Sequence, residues 1–430
     1  MSARRDGRAG EAEGCPFHAR GMSRRGLIGG LAAAGTTAIG VAAAATAHAE
    51  APSDAPSGSP AAASSYPFEG VHQQGVVTPK QSHAAFVAFD VTATGHGELV
   101  GLLRTITRET RILTAGGTPP SEGLLGTDVD DGVLGATPPA DGLTVTASVG
   151  ASLFDHRFGL AARRPRHLRR MDEFPNDALD RAACDGDLLL QICADHSDAV
   201  VHALRQLTRA TRGQMQVRWR MSGWSSPPRP SGSSRNLLGY KDGTANPDVT
   251  DTDLMDQLVW TRGGQDGEPG WVDGGSYHVV RVIRMFVEFW DRVSVREQNN
   301  IFGRDKVTGA PLTGTHELDT PDFTADPTQD VILSNAHIRL ANPRTPGTED
   351  QRILRRSFNY DLGTDANGDL DMGHLFVAFN QDLDRQFVTI QRRLADEPLV
   401  DYVSPVGGGY FFALPGVRDS SDWLGRGLLA

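Results

Sequence analysis

The sequence predicts an α+β protein built from a duplicated unit with mainly antiparallel sheet. Three observations carry this reading. Stretches rich in β formers alternate with stretches of helical period. The order of these stretches in the first half returns in the second at nearly equal offsets. The connections between them are long and irregular, which fits a split β–α–β arrangement better than the short crossovers of a parallel sheet. A chain of 430 residues has room for two such domains.

From the N-terminus, Arg24 and Arg25 follow Ser23 and precede a weakly apolar Ala/Gly run that ends at Ala47-His48-Ala49. A paired arginine, an apolar run and a small-x-small site together predict a twin-Arg export leader over 1–49, cleaved near Glu50. An anchor helix is the weaker reading, because the run is Ala and Gly rather than Leu and Phe. Twin-Arg export carries proteins already folded in the cytosol, usually because a cofactor is inserted there. Residues 50–66, rich in Ala, Pro and Ser, read as a disordered spacer.

The first domain is expected over 67–221. Ala84–Val91 and Leu143–Leu153 read as strands, and Leu99, Leu102, Leu103 and Ile106 place a helix over 97–113. Asp187–Cys193 is a third strand, followed by a helix with Val200, Ala203, Leu204 and Leu207 on one face. A Pro/Ser/Gly-rich linker over 222–234 leads to the second domain, 235–420. There Tyr277–Met285 is a strand before a helix around Val287–Phe302. His374–Asn380 is another, before a helix carrying Leu383, Phe387, Ile390 and Leu394. Residues 263–275, 345–351 and 361–373 read as loops. Asp365, Asn367, Asp369 and Asp371 suggest calcium, but Leu370 and Phe376 stand where the EF-hand loop needs Gly and Glu, so an acidic surface turn is expected.

The formal charge of −11 argues against nucleic-acid binding, and no long apolar window outside the leader supports membrane insertion. Cys184 and Cys193 make no disulfide framework; a single bridge or two plain thiols are both open. Zinc spacings, phosphate loops and a nucleophile elbow are all missing. Two segments stand out. Asn236–Pro247 contains Asp242-Gly243, which alone would be a hairpin turn. Ser334–Arg344 contains His337 and leads into an arginine cluster, Arg339, Arg344, Arg352, Arg355 and Arg356, a candidate anion site in an acidic protein.

Taken together, Gly239-x-x-Asp242-Gly243, His337-Ile-Arg-x-Ala-Asn-Pro-Arg344 and Arg355 resemble the dye-decolorizing peroxidases, in particular the twin-Arg-exported bacterial subgroup that includes deferrochelatase/peroxidases. Gly70-Val-His-Gln-Gln-Gly75 and Phe376–Asp382 belong to the same resemblance, which spans roughly 66–420. It implies two ferredoxin-like domains of the dimeric α+β barrel type, with one non-covalent haem b in the C-terminal half. It makes His337 the proximal iron ligand and Asp242 and Arg355 the distal pair. Gly243, Thr244, Ala245, Asn342, Pro343 and Arg344 would line the haem. Where some subgroups carry Asn two residues after the distal Arg, this chain has Ser357. Asp382 is the expected carboxylate partner of His337, with Asp384 as competitor.

The residue types suit the chemistry. A carboxylate can take a proton from the inner oxygen of hydrogen peroxide and return it to the outer one. A fixed guanidinium can steady the charge on the departing oxygen. The implied partners are hydrogen peroxide and a small dye-like or phenolic electron donor, with a homo-oligomer left open. Two alternatives stand beside the peroxidase: release of iron from haem with the porphyrin intact, and non-enzymatic haem binding or delivery.

Overall fold

A computed structural model describes residues 64–117 and 130–430. The segment expected to be an export leader, and most of the expected spacer, lie outside the described residues. The first half runs β1 (His83–Val91), α1 (His96–Ala115), β2 (Thr144–Gly150), β3 (Leu188–Ala194), α2 (Ser197–Ala210) and β4 (Met215–Trp224). After α3 (Thr252–Leu258) come β5 (Ser276–Met285), α4 (Val287–Trp290), α5 (Val295–Phe302), α6 (His337–Ala341), β6 (Leu354–Arg355), β7 (Phe358–Thr364) and β8 (Leu370–Asn380). α7 (Thr389–Arg393), β9 (Val403–Ala413) and α8 (Arg426–Leu429) complete the chain.

The duplication is visible in the strand order. The first half is ordered β2-β3-β1-β4, and the second, β9-β5-β8-β7, is the same ferredoxin-like arrangement. β2 pairs with β9 through Ser148↔Ala413 and Val149↔Phe412, and β4 meets β7 at Trp224↔Asn359. These two seams close the halves into one antiparallel barrel. Alternate residues of the strands fill its interior, among them Phe86, Leu189, Val280, Phe358, Val377 and Phe411. The other faces pack against helices, as Leu99, Leu103 and Ile106 of α1 and Leu204 and Leu207 of α2 do in a second core. β1 is buried on both faces, which explains its continuous apolar run. Among the described residues no helix is long and apolar enough to cross a membrane.

The opening motif is a staple for one seam. Gln73 donates to the carbonyls of Ala147 on β2 and Leu414 after β9, at 2.8 and 2.7 Å, and accepts from the Ala147 amide. His72 stacks on Trp260 with centroids 3.7 Å apart.

Several expectations are corrected. The strand expected to Leu153 ends at Gly150, and Ala151–Phe154 is a 3₁₀ turn. The single helix expected around Val287–Phe302 is two, because Ser294 starts α5 afresh by accepting from the Glu297 amide at 3.2 Å. The helix expected after β8 opens as a π-turn over Asp384–Val388 before α7. β4 runs through Trp224, into the stretch read as a linker. The loop expected over 361–373 is largely the β7–β8 hairpin. Asp365 at its tip accepts from the Asn367 and Asp369 amides and pairs with Arg284 at 2.6 Å, a surface turn held by local bonds. Cys184 and Cys193 are both free and buried.

Candidate active site

A cavity of about 260 Å³ lies against the face of β5 and β8 that points away from the barrel interior, under α5, α6 and the segment around α7. His337, Asp242 and Arg355 all line it, brought together from three separate segments.

His337 is the first residue of α6. The helix is short because Pro343 cannot continue it and disfavours helical backbone at Asn342. Arg339 anchors it, pairing with Asp326 at 3.0 Å and donating to the Ile332 carbonyl. Asp326 in turn accepts from the amides of Asp330, Val331 and Ile332 and fixes the incoming loop. The Nδ1 of His337 lies 2.7 Å from Oε2 of Glu397, whose side chain is 7% exposed. With a carboxylate as acceptor, Nδ1 carries the proton and Nε2 keeps its lone pair free.

Asp242 follows a tight turn at Asn236–Tyr240, so the Asp-Gly pair is not itself the hairpin turn. Gly243 has φ +87°, a left-handed conformation that a glycine adopts without strain. Arg355 ends the two-residue β6, which pairs with β8. Its Nη1 lies 2.8 Å from Asp242 Oδ1. Asn246 clamps the two segments together: its side chain donates to the Arg355 carbonyl at 2.7 Å and accepts from the Arg355 amide at 3.0 Å. Burial alone would raise the Asp242 carboxyl. Arg355, with His374, Lys80 and His337 behind it, outweighs burial and holds it at about 2.

Of the other sequence candidates, Thr244, Ala245, Asn342 and Arg344 line the cavity, while Gly243 and Pro343 shape their loops without lining it. Arg344 holds a left-handed φ of +55°. The arginine cluster divides. Arg344, Arg352 and Arg355 face the cavity, whereas Arg356 points to the other side of the strand and donates to the Pro79 carbonyl and to Gln81. Asp382 is corrected: it does not meet His337. It accepts from the Asp384 and Arg385 amides and faces His167 at 3.6 Å, while Asp384 pairs with His167 and Arg169. The carboxylate on His337 comes instead from Glu397, after α7.

Two family models match the chain: "Dyp-type peroxidase, N-terminal" over residues 73–225 and "Dyp-type peroxidase, C-terminal" over 233–418. Deferrochelatases of Escherichia coli and Shigella flexneri are 50% identical over 368 residues, 84% of this chain and 87% of theirs. The chain belongs to the Dyp-type peroxidase family. Among solved members of that family, the DyP-type peroxidase of Cellulomonas bogoriensis is 38% identical with a TM-score of 0.76, over 86% of this chain and 99% of that one. Ferric DtpA of Streptomyces lividans is 34% identical with a TM-score of 0.77, over 86% and 98%.

In this Dyp-type peroxidase, sequence reasoning missed four cavity residues: Glu397, His374, Asn246 and Arg304. Asn246 stands inside the segment Asn236–Pro247, so an amide beside the Asp242-Gly243 pair is the one available signal. Arg304 is buried, and burial together with Arg344 and Arg355 pushes it down to about 10. Glu397 and His374 carried no local signal, since their partners are remote in sequence.

Proposed function

We propose that this chain is a haem-dependent peroxidase that reduces hydrogen peroxide and oxidises dye-like or phenolic donors. The observation that carries the reading is one cavity lined by three groups: a histidine with a free Nε2, a carboxylate and a fixed guanidinium. The cavity suits a flat apolar macrocycle bearing carboxylates. Phe302, Ile338, Phe387, Ile390 and Leu399 supply apolar walls, and Arg304, Arg344 and Arg352 supply cations for the acid groups. His337 would hold the iron through Nε2, with the haem not attached through thioethers, since no Cys-x-x-Cys-His is present, and of b type as the family resemblance implies. The haem, when bound, would supply a redox-active iron able to react with peroxide.

The protein's own groups then have distinct tasks. Glu397 fixes the tautomer and orientation of His337 and strengthens its donation. Asp242 takes the proton from the inner oxygen and delivers it to the outer one. Arg355 stays cationic, holds Asp242 in place and stabilises charge on the departing oxygen. Residues 1–49 read as an export leader. N-terminal sequencing of secreted protein should start near Glu50, and a retained leader would count against this.

A second reading, release of iron from haem with the porphyrin intact, is favoured by the names of the relatives at 50% identity. One experiment separates the two. The absorption spectrum of purified protein should change on adding peroxide and return on adding donor. Loss of iron with appearance of free-porphyrin fluorescence, and no response to peroxide, would support the second reading. His337→Ala should lose the haem or its five-coordinate high-spin spectrum.

A further inference from the structure

His374 sits on β8 beside the Asp242–Arg355 pair, and the fold gives it no evident structural task. It is buried, lines the cavity, and its Nδ1 has no hydrogen-bond partner among the described residues. A buried polar atom left unpaired destabilises the fold, so a nitrogen kept there without a bond calls for another reason. Its ladder neighbours, Ile283 on β5 and Asn359 on β7, are uncharged. The charged groups that act on it are Asp242, Arg355 and Lys80.

The geometry divides the two oxygens of Asp242. Oδ1 is taken by Arg355 at 2.8 Å, and Oδ2 faces Nε2 of His374 at 3.6 Å. That separation is longer than a hydrogen bond, but distances of this kind tighten once substrate is bound. A carboxylate pinned by a guanidinium is a poor base at neutral pH. Burial keeps His374 neutral and pushes it down to about 4, with Asp242 opposing, so a basic ring nitrogen is at hand when Asp242 receives a proton. Arg355 holds the carboxylate ionised and burial holds the imidazole neutral, so a proton that reaches Asp242 has an uncharged ring nitrogen beside it to move to.

We propose that His374 is the proton store behind Asp242: with its own hydrogen on the unbonded Nδ1 and its lone pair on Nε2, it takes the proton that comes from the inner oxygen of peroxide through Oδ2 and returns it by the same path to the outer oxygen. This inference rests on the peroxidase reading. It adds no atoms or electrons to the reaction. Hydrogen peroxide takes two electrons and two protons, both supplied by oxidation of the donor, and ends as two waters; the proton moved through His374 is one that peroxide already carries and is returned to it. His374 acts through Asp242 and is a positioning residue, not a group that touches peroxide.

The test uses the haem-loaded protein and two variants, His374→Phe, which keeps the volume, and His374→Gln, which keeps a polar group without a basic nitrogen. Two quantities are measured against pH: the stopped-flow rate constant with peroxide and the dissociation constant for cyanide. Hydrogen cyanide gives up its proton when it binds as cyanide, and a base that keeps this proton in the pocket strengthens binding, so its affinity reports the store without turnover. Both variants should react with peroxide about 10²-fold more slowly at pH 7. Their acid limb should move from near pH 4 toward that of Asp242, and cyanide should bind more weakly by about tenfold or more at pH 6. If either variant keeps the wild-type pH profile and cyanide affinity, the proposal is overturned. If the wild type does not react with peroxide at all, the peroxidase reading fails, while cyanide affinity still reports whether His374 takes a proton.

Discussion

Nδ1 of His337 lies 2.7 Å from Oε2 of Glu397, and the two residues come from opposite ends of the segment that wraps the cavity, α6 and the turn after α7. The Glu397 side chain is buried, so its attraction for the imidazole N–H is weakly screened. Glu397→Gln keeps the size and hydrogen bonding but removes the charge. Less electron density then reaches Nε2, so the reduction potential of the bound iron should rise and the reaction with peroxide should slow by ~10–100-fold. Potentiometric titration checks the first expectation and stopped-flow the second. An unchanged potential would show that the carboxylate does not act on the iron through His337.

Asp242 and Arg355 differ in what replaces them. Water can stand in for a carboxylate as proton carrier, but nothing mobile replaces a fixed guanidinium. Arg355 also holds the Asp242 carboxyl near 2 against burial, so Arg355→Leu removes a charge stabiliser and lets Asp242 rise. The expected order of peroxide rate constants is wild type, then Asp242→Ala, then Arg355→Leu. The individual losses should be ~10²–10⁴-fold for the proton carrier and at least ~10²–10³-fold for the cation. Rates are compared at equal haem content. In Arg355→Leu the acid limb should also move to higher pH, and a limb that stays in place would contradict the pairing.

How far the sequence reaches is clear from these residues. His337, Asp242 and Arg355 lie in short contiguous motifs, and the structure gathers them at one cavity. The strand–helix repeat was legible because β1, β3, β5 and β8 are apolar runs with helical periods behind them. β4 and β7 went unseen because outward polar residues dilute their pattern, and β9 because Gly407–Gly409 interrupts it. The sequence points to Asp382 rather than Glu397 as the carboxylate on His337 for a different reason. Which acid reaches the ring depends on the path of the chain through the π-turn and α7, and no local pattern encodes that path. His374 is legible only as the start of a strand, since alternation says which face a residue takes and not what waits there.

Asn246 tests the role of the clamp. Its two hydrogen bonds to the Arg355 backbone hold the loop of Asp242 against β6. Asn246→Ala loses both bonds and leaves the Arg355 backbone groups in search of partners. A displacement of about 1 Å between cation and carboxylate can cost up to ~10²-fold in rate. The variant should retain haem and the resting spectrum, while its rate with peroxide falls. Full activity would show that β6 alone positions Arg355.

The barrel interior provides the last prediction, which concerns stability. His278 on β5 bonds through Nδ1 to Ser148 Oγ on β2 at 3.0 Å and stacks on Phe379 of β8 with centroids 4.4 Å apart. It therefore joins strands from both halves at the centre of the fold. Burial holds its ring neutral and pushes it from 6.5 to about 3. In the unfolded chain the ring is protonated below about 6.5, so between that pH and about 3 the unfolded state binds the extra proton. The contribution of neutral His278 is thus fully present above about 6.5 and is lost as pH falls toward 3. By pH 5 the loss from this group should be about 2 kcal/mol. His278→Gln can still bond to Ser148 but has no ring to protonate. Its unfolding free energy, from urea titrations at pH 8 and pH 5, should fall with acid by about 2 kcal/mol less than that of the wild type. His374 titrates in the same sense in both proteins, so it cancels in the difference. Equal losses in the two proteins would mean that His278 is protonated inside the folded barrel at pH 5, against the burial seen here.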